Sequence, residues 1–320
     1  MDACTGEIRA MRSDSIKKAK DGVSGGVFYL GLAVIGVLAI PAAVLLGLYL
    51  SMTVQKKREA QEQEQIRSLY GATAAPTAVP AEPAEKTEAP GADDPAGTAE
   101  ETPTPAPPAE RTVAPQYAAL YAINQDLVGW ITAGDLVDGP VVQKDNSYYL
   151  HRDLYGKYST HGTILLDEAN TDYENDPYLV LYGHQFSDKT MFSGLREYRD
   201  IEYYKKYPLA EFGMLYEETP RQYAIFAVLD VSATTNERNY LRIRCFEEWK
   251  DPAYRESFLA DIQDRSYYST PIDVNGEDKI LCMITCSYFD TNGRLLVYAR
   301  ALREGETPES IQILAQDARM

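Results

Sequence analysis

Histidine and cysteine are scarce in this chain of 320 residues. It holds three histidines (His151, His161, His184) and four cysteines (Cys4, Cys245, Cys282, Cys286). No C-x-x-C or H-x-x-x-H spacing occurs among them, which removes the usual structural zinc sites. Positive charge is also in deficit. Lys and Arg total 31 against 48 Asp and Glu, a formal net charge of −17, which argues against nucleic-acid binding. The HRD at 151–153 has no glycine-rich loop or DFG to accompany it, so a kinase catalytic loop is excluded. No internal repeat is present.

Charge is absent altogether from Val27 to Val54, a run of 28 residues dominated by Leu, Val, Ile, Ala and Gly. Such a run is long enough to span a hydrocarbon layer of ~30 Å as a tilted helix and too long for a signal-peptide core of ~7–15 residues. It predicts a single-pass membrane anchor. Five Lys and Arg lie within residues 1–26 and three lie at 56–58, a small bias toward a cytoplasmic N-terminal tail. Residues 72–115 then hold ten prolines and almost no large apolar side chain. A segment of that composition cannot offset its chain entropy by burial, so 55–115 reads as a helical start followed by an extended stalk. The globular domain it would carry, outside the cell, runs over 116–305, and 306–320 reads as a tail.

Within 116–305, a short helical period at QYAALYAINQD precedes a series of brief apolar runs: LVGWITAGDLVDGPVVQ, GTILLD, YLVLYGH, RQYAIFAVLDVSA, YLRIRCF, DKILCMITC and RLLVYARAL. They are bounded by Gly, Asp, Asn and Pro, as strands of a barrel or sandwich are. Helical inserts are expected at DKTMFSGLREYRDIEYYKKY and DPAYRESFLADIQDRSYY. The fold class is mostly β, a barrel with a few helices.

Three cysteines, Cys245, Cys282 and Cys286, fall in the exported part, so at least one thiol stays free. On a strand, Cys282 and Cys286 would share a face about 13 Å apart at ~3.3 Å per residue, beyond disulfide reach. Cys282 lies deep in its run and reads as core. Cys286 ends the run before the polar SYFDTNG, where a thiol can face solvent. A nucleophilic cysteine needs a base, and His184 likewise ends an apolar run before a polar loop. A histidine that only caps a loop fits the same pattern; His151 and His161 read as surface or packing residues. The DTNG turn would fold Arg294 back beside Cys286, where its fixed donors could hold an oxyanion or merely pair with Asp290.

The blocks LVGWITAGDLVDGPVVQKDNSYYLHRD, YGKYSTHGTILLDEAN, YLVLYGHQFSDKTMFSGL, ILCMITC and GRLLVYARAL, in that order, resemble the class B sortases, membrane-anchored cysteine transpeptidases of Gram-positive bacteria. The resemblance implies a closed sortase-type β-barrel of seven to eight strands, with an N-terminal helix and a helix in the long connection before the cysteine strand. It places the nucleophile on Cys286, the general acid/base on His184 and the oxyanion-stabilising arginine on Arg294. A peptide groove would be lined by Asn146 and Leu150, with Tyr182, Ile284 and Thr285 beside the catalytic pair. The family pattern TLSTC is CMITC here, so Ile284 replaces a small hydroxyl residue, and YGHN is YGHQ, with Gln185. The implied activity is cleavage of an NPxTx-like C-terminal sorting signal after Thr through a Cys thioester. The protein is then transferred to an amine of peptidoglycan or of a pilin subunit, with no cofactor. A hydrolytic cysteine protease on the same signal, or a non-catalytic stalked surface-binding module, are the alternatives.

Overall fold

A computed structural model of the chain describes residues 44–55, 57–71, 111–186, 190–287 and 292–320. Two units separate at residue 66. In the first, residues 44–55 and 57–66 are helical. Among the described residues no helix is long and apolar enough to cross a membrane. The apolar run expected to span one lies outside them over residues 27–43, and so do residues 72–110 of the expected stalk.

The second unit is a closed barrel of eight strands: β1 (Leu127–Ala133), β2 (Val137–Val142), β3 (Ile164–Leu166), β4 (Tyr178–Tyr182), β5 (Leu209–Met214), β6 (Arg221–Ser232), β7 (Ile280–Ser287) and β8 (Gly293–Ala301). Their order around the barrel is β1-β2-β3-β4-β7-β8-β6-β5. The β2–β3 and β4–β7 pairs are parallel and the others antiparallel.

Side chains alternate along β4, β7 and β8. Leu179, Leu181, Leu281, Met283, Leu295, Val297 and Ala299 fill the barrel. Tyr178, Val180, Cys282, Ile284, Leu296 and Tyr298 face outward into a second apolar cluster. That cluster is closed by α3 (Pro252–Asp264), which contributes Phe258, Leu259 and Ile262, and by Trp249 just before it. Burial on both faces explains why β7 and β8 read as continuous apolar runs. α3 starts where Asp251 accepts the Ala253 N–H and Pro252 occupies the first turn. Three shorter helices, α1 (Ala118–Ile123), α2 (Ile201–Lys206) and α4 (Pro308–Leu314), pack around the barrel.

Two expectations differ from this architecture. YLRIRCF is not a strand. Every barrel edge is already paired, so the segment lies across the outer cluster and buries Leu241 and Cys245 there. Residues 306–320 are not a tail either. Thr307 and Ser310 form a capping box that starts α4, and Ile311, Ala315 and Ala318 are buried in the two clusters. Arg300, 1% exposed, is held there by Glu306 at 2.6 and 2.7 Å.

The far side of the barrel also receives residues 67–71. Arg67 pairs with Asp138 at 3.1 Å, Tyr70 stacks on Trp130 with ring centroids 4.5 Å apart, and the Gly71 N–H donates to the Gln116 carbonyl. The two flanks of the proline-rich segment therefore meet at one place on β1 and β2.

Candidate active site

β7 runs between β4 on one side and β8 on the other. Cys286, in its penultimate position, is exposed, whereas Cys245 and Cys282 are buried free thiols. Burial pushes the Cys245 thiol up to about 11 and raises that of Cys282 further, so neither is a nucleophile. Directly opposite Cys286 on the antiparallel β8 stands Arg294. Opposite pairs in such a ladder have Cα atoms about 4.5–5.5 Å apart, so the guanidinium and thiol belong to one small region. One Arg294 N–H is spent on the Gly293 carbonyl at 2.9 Å, which leaves four for other acceptors.

On the other side, Tyr182 pairs with Ile284 in the parallel β4–β7 ladder, and the Gly183 N–H extends it to the Ile284 carbonyl. His184 and Cys286 are each two residues further on, so both leave their strands at the same end and on the same outer face. Gly183 is needed for this path. A Cβ there would lie 2.6 Å from the Phe192 ring, which closes the turn together with the Phe192 N–H bonded to the His184 carbonyl.

His184 Nε2 lies 2.8 Å from the Leu150 carbonyl oxygen. A carbonyl only accepts, so Nε2 carries the proton and Nδ1 is the free base. Burial depresses the imidazole below its ordinary value, and the nearby His151 and His161 add to this, while the Leu150 hydrogen bond opposes it. The ring is therefore neutral at neutral pH. His151 stacks on it with centroids 5.8 Å apart, and His161 packs on Phe186.

The remaining expected site residues are scattered in role. Asn146 is bound on both sides of its amide by Glu168. Leu150 is half-buried and meets the histidine through its backbone carbonyl. Tyr182 donates its hydroxyl to Asp167 at 2.6 Å. Ile284, 3% exposed, packs in the outer cluster beneath Cys286. Thr285 differs from expectation. Strand alternation turns it toward the barrel, where it is 2% exposed and its Oγ1 has no hydrogen-bond partner among the described residues, so it lines no groove.

Two arginine–carboxylate pairs that the sequence reading did not single out brace this site. Arg199 binds Asp230 through two hydrogen bonds and also donates to the Ser287 hydroxyl at 2.9 Å, immediately after the cysteine. Burial alone would raise the Asp230 carboxyl, but hydrogen bonds from Arg199, Tyr267 and Ser287 hold it below the usual range. Arg244 binds Asp167 in the same two-pronged way. The two pairs join residues 31 and 77 apart in the chain, so no local spacing announces them.

No family model matches the chain. It is 32% identical over 193 residues to sortase B of Staphylococcus aureus, covering 59% of this chain and 75% of that protein. It is 33% identical over 171 residues to sortase B of Listeria monocytogenes, covering 52% and 65%. Among solved structures it is similar to sortase B from Bacillus anthracis, with a TM-score of 0.52, 32% identity and coverage of 62% of this chain and 90% of that one. A Staphylococcus aureus sortase B–substrate complex aligns with a TM-score of 0.52 at 28% identity, covering 60% and 87%.

Proposed function

The chain belongs to the sortase B family of cysteine transpeptidases, and we propose that its substrate is an NPxTx-like sorting signal at the C-terminus of a surface protein or pilin. The reading rests on one observation: Cys286 is the exposed thiol among the described residues, flanked by Arg294 on one neighbouring strand and by His184 at the matching end of the other.

The reaction follows from those positions. Neutral His184 takes the Cys286 proton on Nδ1 as sulfur attacks the threonine carbonyl, and its Nε2–H stays on Leu150 throughout. Arg294 holds the resulting oxyanion with its fixed N–H fork. The imidazolium then protonates the departing amine, and a thioester is left on Cys286. An incoming amine, from a peptidoglycan precursor or a pilin lysine, loses its proton to His184 as it takes the acyl group, and the thioester C–S bond breaks with that proton returned from His184 to the Cys286 sulfur. Asn146, Leu150 and Tyr182 flank the groove, and Ile284 packs in the apolar cluster beneath Cys286. The run at 27–54 would anchor the enzyme in the cell membrane by a single pass, N-terminus inside and barrel outside.

Mass spectrometry after mixing the chain with an NPxTx peptide, with and without an added amine, tests this. The expected result is an acyl adduct on Cys286, absent from Cys286→Ala, and an amide product when amine is supplied. Hydrolysis that no amine diverts would make it a protease, and no adduct with any sorting peptide or envelope extract would make it a binding module.

A further inference from the structure

Asp167, the residue after β3, has a side chain with no exposure at all. Its Oδ2 accepts from the Tyr182 hydroxyl at 2.6 Å and from Arg244 Nε at 2.9 Å. Its Oδ1 accepts from Arg244 Nη2 at 3.1 Å and from the Ala169 N–H at 2.9 Å. The same Nη2 reaches Oε1 of Glu168 at 3.2 Å. Glu168 Oε1 in turn accepts from Asn146 Nδ2 at 3.2 Å, while the Glu168 backbone N–H donates to Asn146 Oδ1 at 2.9 Å.

Three separate segments meet in this network. Tyr182 sits two residues before His184 on β4. Asn146 sits four residues before Leu150, whose carbonyl holds His184. Arg244 belongs to the long connection between β6 and β7 and is otherwise half exposed, at 50%. Two carboxylates of like charge, on the consecutive residues Asp167 and Glu168, are bridged by one guanidinium shared between them. A planar fork can do this; a single ammonium cannot bind both in two-pronged fashion. With both ends of its amide held by Glu168, Asn146 has one N–H and one lone pair left to offer a peptide backbone.

We infer that Arg244 is a positioning residue for substrate binding. By neutralising Asp167 and drawing in Glu168, it fixes the amide of Asn146 in the orientation that receives the sorting peptide. This rests on the reading above that Asn146 lines the groove. The effect belongs to binding, because Arg244 has no contact with Cys286, His184 or Arg294.

Steady-state kinetics of the full chain on an NPxTx fluorogenic peptide, in a cycle of Arg244→Met and Asn146→Ala, tests the inference. Arg244→Met should raise KM about fivefold or more while kcat stays within about twofold, and in the Asn146→Ala background it should add less than about twofold. Arg244→Lys should not restore KM. A double variant, Arg244→Met with Asp167→Asn, removes the buried charge that Arg244→Met leaves uncompensated. It keeps the test open if the single variant misfolds, and its KM should stay raised. An unchanged KM in Arg244→Met, an equal effect with and without Asn146, a rescue by lysine, or a normal KM in the double variant would each overturn the inference. If the unsubstituted chain cleaves no sorting peptide, the proposed substrate fails first and this inference falls with it.

Discussion

Cys286 and Arg294 face each other across the β7–β8 ladder, one pair before the strands part at Ser287 and Gly293. The relationship is set by the backbone register, so it does not depend on a long side chain finding its place. It gives the thiol a permanent cation on one side and leaves the other side for the neutral His184.

Arg294→Lys keeps a charge but loses the fixed fork. The expected outcome is a fall in kcat of about 10²-fold, as when one oxyanion donor is removed, with KM little changed. Stopped-flow measurement of peptide acylation checks it; a change confined to KM would move Arg294 from the reacting carbonyl to substrate binding.

Because burial lowers the His184 imidazole, the acid limb of kcat/KM should lie below pH 6.5, the ordinary value for histidine. Removing His151 as His151→Asn takes away a positive neighbour when both rings are protonated, so the His184 midpoint should rise. The same depression has a stability sign. The folded chain binds this proton less readily than the unfolded one, so its contribution is full above about pH 6.5 and is lost as the pH falls through the folded value. An NMR titration of the His184 ring, with and without His151, reads the midpoint directly.

The C-terminal helix is predicted to be part of the folding unit. Removing residues 306–320 would expose the sites of Ile311 and Ala315 and leave the buried Arg300 without its Glu306 partner. Glu306→Gln alone should cost about 3 kcal/mol, as expected when one partner of a buried ion pair is removed. Arg300 holds the Glu306 carboxyl below its usual range, so this stabilisation is full above about pH 4.5 and fades on acidification below it. Urea denaturation of both variants at two pH values would show it, and a truncated chain as stable as the parent would refute it.

Ile284 is 3% exposed under the nucleophile, and Ile284→Ser puts a hydroxyl into an apolar cluster while deleting most of the side chain. A loss of about 2–5 kcal/mol is expected, the range for emptying a buried isoleucine site. Thermal unfolding gives the cost, and a peptide library turned over by parent and variant shows whether this residue also shapes substrate choice.

The barrel was largely legible because β4, β7 and β8 are short apolar runs bounded by Gly, Asp and Asn, and the DTNG sequence predicts the antiparallel pairing that β7 and β8 make. The positions of Cys286, His184 and Arg294 at strand ends are local facts of the same kind. YLRIRCF misled because its composition suits a strand, yet a closed barrel has no free edge to pair it. The last residues misled for the opposite reason: their few apolar side chains carry little pattern until Ile311 and Ala315 find the barrel.

The amino-acid order by itself thus determined most of the strands and the residue types that end them, since alternation and turn chemistry act over a few residues. Tertiary structure alone decided that the His184 imidazole is depressed, because the burial that does so comes from distant segments, and that its proton sits on Nε2, because the Leu150 carbonyl accepts it there. It alone decided that Thr285 turns inward, since which face of a strand is interior depends on how the sheet closes. And it alone joined Arg244 to Asp167 across 77 residues, a contact that exists only once the barrel has been formed and covered.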